Sequence, residues 1–196
     1  MDHFWQDIEG YFTFPLFYEE MAAVLANTAS YWRARGEPRR IHVVEVGVYT
    51  GQSAAFLGVE LVNRGVDAQL DLVDIEMTKH GARDNLSRLA STDVLGHFHE
   101  IDSVAASRLY KDDSLDFAFI DADHSYAAVS RDIDAWLPKV RKGGIIAGHD
   151  YCNWPGFGVI EAVTERFDRV EVWRGSKGMG DAQMQPRYWP VWMVRV

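Results

Sequence analysis

The densest chemistry in the sequence lies in two short segments, Phe119-Ile-Asp-Ala-Asp-His-Ser-Tyr126 and Gly143-Gly-Ile-Ile-Ala-Gly-His-Asp-Tyr151. They carry Asp121, Asp123 and His124, then His149 and Asp150. Two carboxylates brought together without a cation repel and raise each other's pKa values. A hard divalent ion such as Mg²⁺ relieves that repulsion with oxygen ligands and retained waters. An imidazole in the set shifts the preference toward Zn, Mn or Fe. Asp121, His149 and Asp150 are therefore the metal-ligand candidates. In the alternative, Asp121 and Asp150 orient an acceptor directly and His149 is structural. His124 has an ordinary pKa near 6.5 and suits the removal of a proton from an acceptor, so His124 and Asp121 are the catalytic candidates.

A second group sits earlier, in Glu45-Val-Gly-Val-Tyr-Thr-Gly-Gln-Ser53. Gly47 and Gly51 allow a sharp backbone turn and a close ligand approach. The helix that follows offers unpaired N–H groups to a carboxylate, and Glu45 offers charge to an ammonium group. An amino-acid zwitterion such as that of methionine has both. Tyr49, Thr50 and Ser53 belong to the same loop and are candidates with it. A dinucleotide pyrophosphate calls instead for G-x-G-x-x-G without a nearby acid. Asp74 follows 29 residues after Glu45, where an acid can accept hydrogen bonds from both hydroxyls of a ribose. Asp102 and Ser103 come next and could read an adenine edge, while Asp121 closes the cofactor side.

These groups are useful only if one scaffold gathers them, and the pattern supplies it. Strands are expected at Ile41–Val46, Leu70–Asp74, Phe98–Ile101, Leu115–Asp121 and Gly144–Gly148, each apolar or β-branched and each ending at a candidate group. Helices are expected over Ser53–Arg64, Thr78–Leu89, Tyr126–Leu137 and Val159–Phe167. Alternation of this kind makes a parallel, doubly wound α/β sheet that binds ligands at its strand ends. Val170–Trp173 and Pro190–Val196 follow without a crossover helix and should pair antiparallel. Arg174–Arg187, with Gly175, Gly178, Gly180 and Pro186, reads as a long mobile loop. Residues 1–40 read as aromatic and helical cover on a domain of residues 41–196. Tyr11, Phe14, Tyr151, Trp154, Phe157, Tyr188 and Trp189 could wall an acceptor pocket that is flat or partly apolar.

The whole composition narrows the function classes. The net charge is −9, and the basic clusters Arg33, Arg35, Arg39, Arg40 and Lys139, Arg141, Lys142 are short. That argues against nucleic acid as the partner. No apolar run approaches the roughly 20 residues of a membrane span, and the acidic first ten residues do not read as a signal peptide. Cys152 is the single cysteine, which fits a reducing cytoplasm and lacks an activating arrangement. A small-molecule partner remains, and a homo-oligomer stays open.

With Val44-Glu-Val-Gly-Val-Tyr-Thr-Gly-Gln-Ser53, Leu72-Val-Asp74 and the two acidic motifs in view, the chain resembles class I S-adenosylmethionine-dependent methyltransferases. It is most similar to the family 24 branch, related to macrocin-type O-methyltransferases. The resemblance implies a Rossmann-like, seven-stranded sheet with an antiparallel C-terminal strand. It implies cofactor contacts from Glu45, Gly47, Gly51, Asp74 and Ser103. It also implies methyl transfer to a small acceptor, most readily a hydroxyl, with Mg²⁺ or another divalent ion as a candidate helper. In metal-dependent relatives an Asp after the fourth strand and an acidic or amide pair after the fifth hold the ion. Asp121 and Asp150 match that pattern, and His149 departs from it. Catechol-type enzymes carry a lysine base where this chain has His124. The competing readings are a metal-independent N- or C-methyltransferase and a non-catalytic nucleotide-binding module.

Overall fold

The computed structural model describes residues 1–10, 12, 14–173 and 190–196. Tyr11, Tyr188, Trp189 and the expected loop Arg174–Arg187 lie outside the described residues.

Seven strands form one sheet: β1 Ile41–Val46, β2 Ala68–Val73, β3 Leu95–His99, β4 Leu115–Ile120, β5 Val140–Gly148, β6 Glu171–Trp173 and β7 Val191–Arg195. Their spatial order is β3-β2-β1-β4-β5-β7-β6. The five strands from β3 to β5 pair in parallel, and β7 runs antiparallel to both β5 and β6. This is the doubly wound, mostly parallel sheet that the sequence pattern calls for. The order of strands reverses between β1 and β4, and there adjacent crossovers leave to opposite faces and open a crevice. The register sets Val46 beside Val73 on one side and Ile120 on the other, and Ile120 beside Gly148. The residues just past these four positions are therefore brought to a common edge.

Among the described residues the α-helices are α1 Pro15–Ala34, α2 Gln52–Asn63, α3 Ala82–Asn85, α4 Ser103–Ser107, α5 Tyr126–Trp136 and α6 Val159–Thr164. Two apolar clusters cover the two faces of the sheet. One joins α1, α2 and the preceding aromatic residues Phe4, Phe12 and Phe14 to Val43, Leu70, Leu72, Phe117 and Phe119. The other packs α5 and α6 onto Val44, Val46, Ala118, Ile120 and Ile146. Strands such as β4, buried along its whole length, read as continuous apolar runs because both faces are covered.

Three local expectations change. The helix expected over Thr78–Leu89 shortens to α3 and a 3-10 turn at Ser87–Leu89. Gly81 takes the left-handed conformation, φ 68°, and Glu100 holds Thr78 through its backbone N–H and hydroxyl. Both interrupt a helical start, while Ala82, Leu86 and Leu89 remain fully buried. The third strand spans Leu95–His99 rather than Phe98–Ile101. The five-residue α4 is an addition, too short to show a helical period, and the Asp102 side chain caps it by accepting from the Ala105 N–H at 3.0 Å. No helix among the described residues is long and apolar enough to cross a membrane.

Candidate active site

The strand ends border one cleft of about 1270 Å³. Gly47, Tyr49, Thr50 and Ser53 reach it from β1 and α2, Asp74 and Ile75 from β2, and Asp102 and Ser103 from the start of α4. Asp121 and His124 reach it after β4, and His149 and Asp150 after β5. Eleven of the thirteen sequence candidates thus share one space.

The other two do not line it. Gly51 sits at the start of α2 with Leu86 packed against it. Glu45 is 1% exposed and lies behind Ser53, whose hydroxyl donates to its Oε1. Burial pushes the Glu45 carboxyl up to about 8, more than the Ser53 hydrogen bond lowers it. This favours the uncharged carboxyl at neutral pH, whereas the sequence suggests a charged group. Its Oε2 has no partner, nor does the buried Tyr18 hydroxyl. Gly47 also has a different reason from the one expected. A Cβ there would stand 2.0 Å from the carbonyl oxygen of Asp121, so the glycine admits the β4 backbone rather than a ligand.

Asp74 shapes the first loop. Its Oδ2 accepts from the N–H groups of Val48 and Tyr49 at 2.9 and 2.8 Å, and its Oδ1 from Glu76 at 2.8 Å. A carboxylate offers about four lone-pair sites, so one further hydrogen bond can be accepted rather than two. Tyr49 is held at φ 50°, and its ring lies against His80 at 4.4 Å. Two exposed apolar side chains, Ile75 and Ile101 (68% and 40%), face the same cleft. They were not among the candidates, although an isoleucine directly after Asp74 was the available signal. Ser103 is engaged from behind, since its Oγ accepts from Trp136 Nε1 at 2.9 Å. Asp132, also missed, is a buried acid of the cleft wall that burial pushes up. It lies six residues into α5, where a lone acid reads as a solvated face.

At the other end of the cleft stand the acids and histidines. His124 Nε2 is 2.7 Å from Asp150 Oδ2 and 3.4 Å from Asp121 Oδ1. His149 Nδ1 is 3.1 Å from Asp150 Oδ1 and 3.8 Å from Asp121 Oδ1. The Phe14 ring stacks on His149 at 4.1 Å, and Phe157 packs on His124 at 4.7 Å. Asp150 is a non-glycine residue at φ 58°, a conformation that costs energy and concentrates at functional sites. Asp123 is turned aside, accepting from the Ser125 N–H at 2.7 Å at the start of α5. Of the expected walls, Phe14 and Phe157 line the cleft, while Tyr151 and Trp154 do not.

The charges in this cluster separate. Burial alone would lower His124, but its hydrogen bonds to Asp121 and Asp150 outweigh it and push it up to about 10. Burial would raise Asp150, and contact with the two histidines wins and holds it at about 2. Asp121 is pushed above the usual carboxylate range by its burial. His149 is raised, because Asp121 and Asp150 overcome burial. A shift of this size favours the imidazolium at neutral pH, whereas the sequence suggests a neutral base. Asp121, His124 and Asp150 bring ligand atoms within 4.8 Å of one another, so His124 joins the residues expected to gather there. Cys152 stays a thiol, its pKa pushed up to about 11 by burial and by Asp150.

A Rossmann-like sheet ending in this order, with its cleft at the β1–β4 switch, is the architecture of class I methyltransferases. The profile of the methyltransferase domain family matches residues 44–151, more than half of the chain, and the chain belongs to that family. No curated protein matches it. Among solved structures it is similar to an O-methyltransferase from Bacillus cereus in complex with S-adenosylhomocysteine. There the identity is 18% and the TM-score 0.62, over 97% of this chain and 86% of that one. It is also similar to the O-methyltransferase TomG from Streptomyces achromogenes, involved in tomaymycin synthesis and solved with S-adenosylmethionine. That match has 15% identity and a TM-score of 0.57, over 89% of this chain and 78% of that one. The CurJ carbon methyltransferase shares the fold at 16% identity and a TM-score of 0.56, over 79% and 48% of the two chains.

Proposed function

We propose that the protein transfers a methyl group from S-adenosylmethionine to a hydroxyl oxygen of a small, partly apolar acceptor. The observation that carries this reading is the division of one cleft into two chemistries. The β2 and β3 ends offer Asp74 together with the exposed side chains Ile75 and Ile101, a fit for a ribose hydroxyl and a flat adenine. The β4 and β5 ends offer carboxylates and imidazoles under aromatic walls, a fit for an acceptor that must lose a proton.

When bound, the cofactor would supply a sulfonium methyl, whose transfer releases a neutral thioether that needs no acid assistance. Asp74 accepts from the ribose, Asp102 and Ser103 read the adenine edge, and Gly47, Tyr49, Thr50 and Ser53 face the methionine end. Asp121, the carboxylate with the raised pKa, takes the acceptor's proton. His124, held as a cation by Asp150, stabilises the oxygen as negative charge develops on it. A pair whose environments push their pKa values apart in this way divides acid and base roles. Phe14 and Phe157 exclude water and position the acceptor.

A divalent ion fits the cluster poorly. Two ligands about 2.1 Å from one octahedral Mg²⁺ stand about 3.0 Å apart, and His124 Nε2 and Asp150 Oδ2 are at 2.7 Å, a hydrogen-bond distance. The positive charge is already supplied by the His124 proton, so no step is assigned to a metal. Calorimetry tests the reading. S-adenosylmethionine and its demethylated product should bind and NADH should not, and a panel of phenolic and sugar hydroxyl acceptors should yield O-methyl products. Binding of NADH in place of S-adenosylmethionine would overturn it.

A further inference from the structure

Away from the cleft, the sheet edge carries a second cluster of Asp and His side chains. Asp71 lies in the middle of β2, is 2% exposed, and faces the edge strand β3. A buried carboxylate needs a compensating partner. Asp116, the comparable buried acid of β4, has two, Arg39 and Arg141. Among the described residues no Lys or Arg lies within 4 Å of Asp71, and the ion pair it forms is with His97.

β3 is built around that carboxylate. Leu70 pairs with Leu95 but Leu72 with Phe98, so one extra residue of β3 is inserted opposite Asp71. A bulge of this kind re-aims the side chains beyond it. Here it lets Leu95 and Phe98 both pack toward the first apolar cluster and turns His97 and His99 to the opposite face. Gly96 leaves the room, since a Cβ there would stand 2.0 Å from Asp71 Oδ1. The His97 backbone N–H donates to the same oxygen at 2.7 Å. The two imidazoles stack at 5.6 Å with 16° between their planes, and ligand atoms of Asp71, His97 and His99 lie within 4.8 Å of one another.

We propose that Asp71, His97 and His99 form a transition-metal site on the edge strand, separate from the catalytic cleft, that takes Zn²⁺. His97 Nδ1 and Asp71 Oδ1 are 3.3 Å apart. Two ligands about 2.1 Å from a tetrahedral zinc stand about 3.4 Å apart. The side-chain amide nitrogen of Gln69 lies 2.9 Å from that oxygen and 3.3 Å from that nitrogen, a polar donor placed where an ion would bind. The surroundings are those of a ligand set. The Tyr110 hydroxyl donates to Asp71 Oδ2 at 2.9 Å, the outer-shell contact that fixes a metal-binding carboxylate. The His99 ring rests edge-on against Tyr110 at 5.9 Å. Two nitrogens and one oxygen favour zinc over Mg²⁺ or Ca²⁺, and the exposed side of His97 leaves a fourth position for water.

The test is a titration of ZnCl₂ into chelator-stripped protein, read by competition with a chromogenic chelator. The unmutated protein should bind one tight equivalent. His97→Gln combined with His99→Gln should weaken that binding by at least about tenfold to a hundredfold, the cost of losing even an outer partner. His124→Gln, in the cleft, should leave it in place. Co²⁺ should give visible absorption bands that vanish in the His97/His99 variant alone. Should that variant fail to fold, histidine-selective NMR of the unmutated protein reads ligation directly, and Zn²⁺ must shift the ring signals of His97 and His99. Equal titrations for the unmutated and His97/His99 proteins, loss of the tight equivalent only with His124→Gln, or unmoved ring signals would each overturn the site.

Discussion

The cleft and the sheet edge both pair buried aspartate with two histidines, yet they are set up for different cations. In the cleft two carboxylates, Asp121 and Asp150, flank His124 at 3.4 and 2.7 Å and draw a proton onto it. At the edge one carboxylate serves both imidazoles, and the nearer nitrogen stands 3.3 Å away. Two carboxylates closing on one ring make that ring the compensating cation; one carboxylate shared by two more distant rings leaves room for an external ion.

The sharpest way to break the comparison is to remove the acid assigned as the proton acceptor. Asp121→Asn should lower kcat by about 10²- to 10⁴-fold, with S-adenosylmethionine affinity in calorimetry little changed. His124→Gln should cost about 10²-fold, the scale of a lost preorganised charge, and should also change the pH profile. Activity of the unmutated enzyme should rise as Asp121 ionises, above the usual carboxylate range, and fall as His124 loses its proton near pH 10. The falling limb should vanish in His124→Gln. A kcat that instead climbs through pH 10 would restore His124 to the role of neutral base. Asp74→Ala should weaken S-adenosylmethionine binding by roughly 1–3 kcal/mol, by freeing the Val48 and Tyr49 N–H groups as well as losing the ribose contact.

Stability should follow pH in a direction set by two groups. Glu45 and His124 both have folded pKa values, about 8 and about 10, above their unfolded ones. Their contributions are complete below the unfolded pKa values, about 4.3 and 6.5, and are lost as pH rises through the folded values. The melting temperature should therefore fall between pH 6 and pH 10, and less so in Glu45→Gln. The smallest expected effect is that of excess chelator, which should leave kcat unchanged while stripping zinc from the edge.

Much of this arrangement was legible in the sequence, because it is written in strand ends. An apolar run followed by Asp74, by Asp121 or by His149 and Asp150 fixes both the strand and the place of the group after it. What the sequence hid depends on distances across the chain. Glu45 lies in the right motif, but only the packed structure puts Ser53 in front of it. His124 reads as an ordinary histidine until two carboxylates from different strands close on it. Ile75 and Ile101 resemble core residues, and only their exposure marks them as a wall. His97 and His99 gave no signal because their partner sits on β2, brought into reach by a bulge that exists only once β2 and β3 pair.

The position of β7 carries a consequence for synthesis. Among the described residues β6 has β7 as its only sheet neighbour, and β7 ends at Arg195, 22 residues beyond Trp173. At a ribosomal pace of 5–20 residues per second, β6 waits roughly one to four seconds for its partner. During that interval the antiparallel side of β5 is an open edge as well, with Ile145, Ile146 and Ala147 unpaired on that flank. Nascent chains would be at greatest risk of sticking to one another in that window, before the sheet is closed.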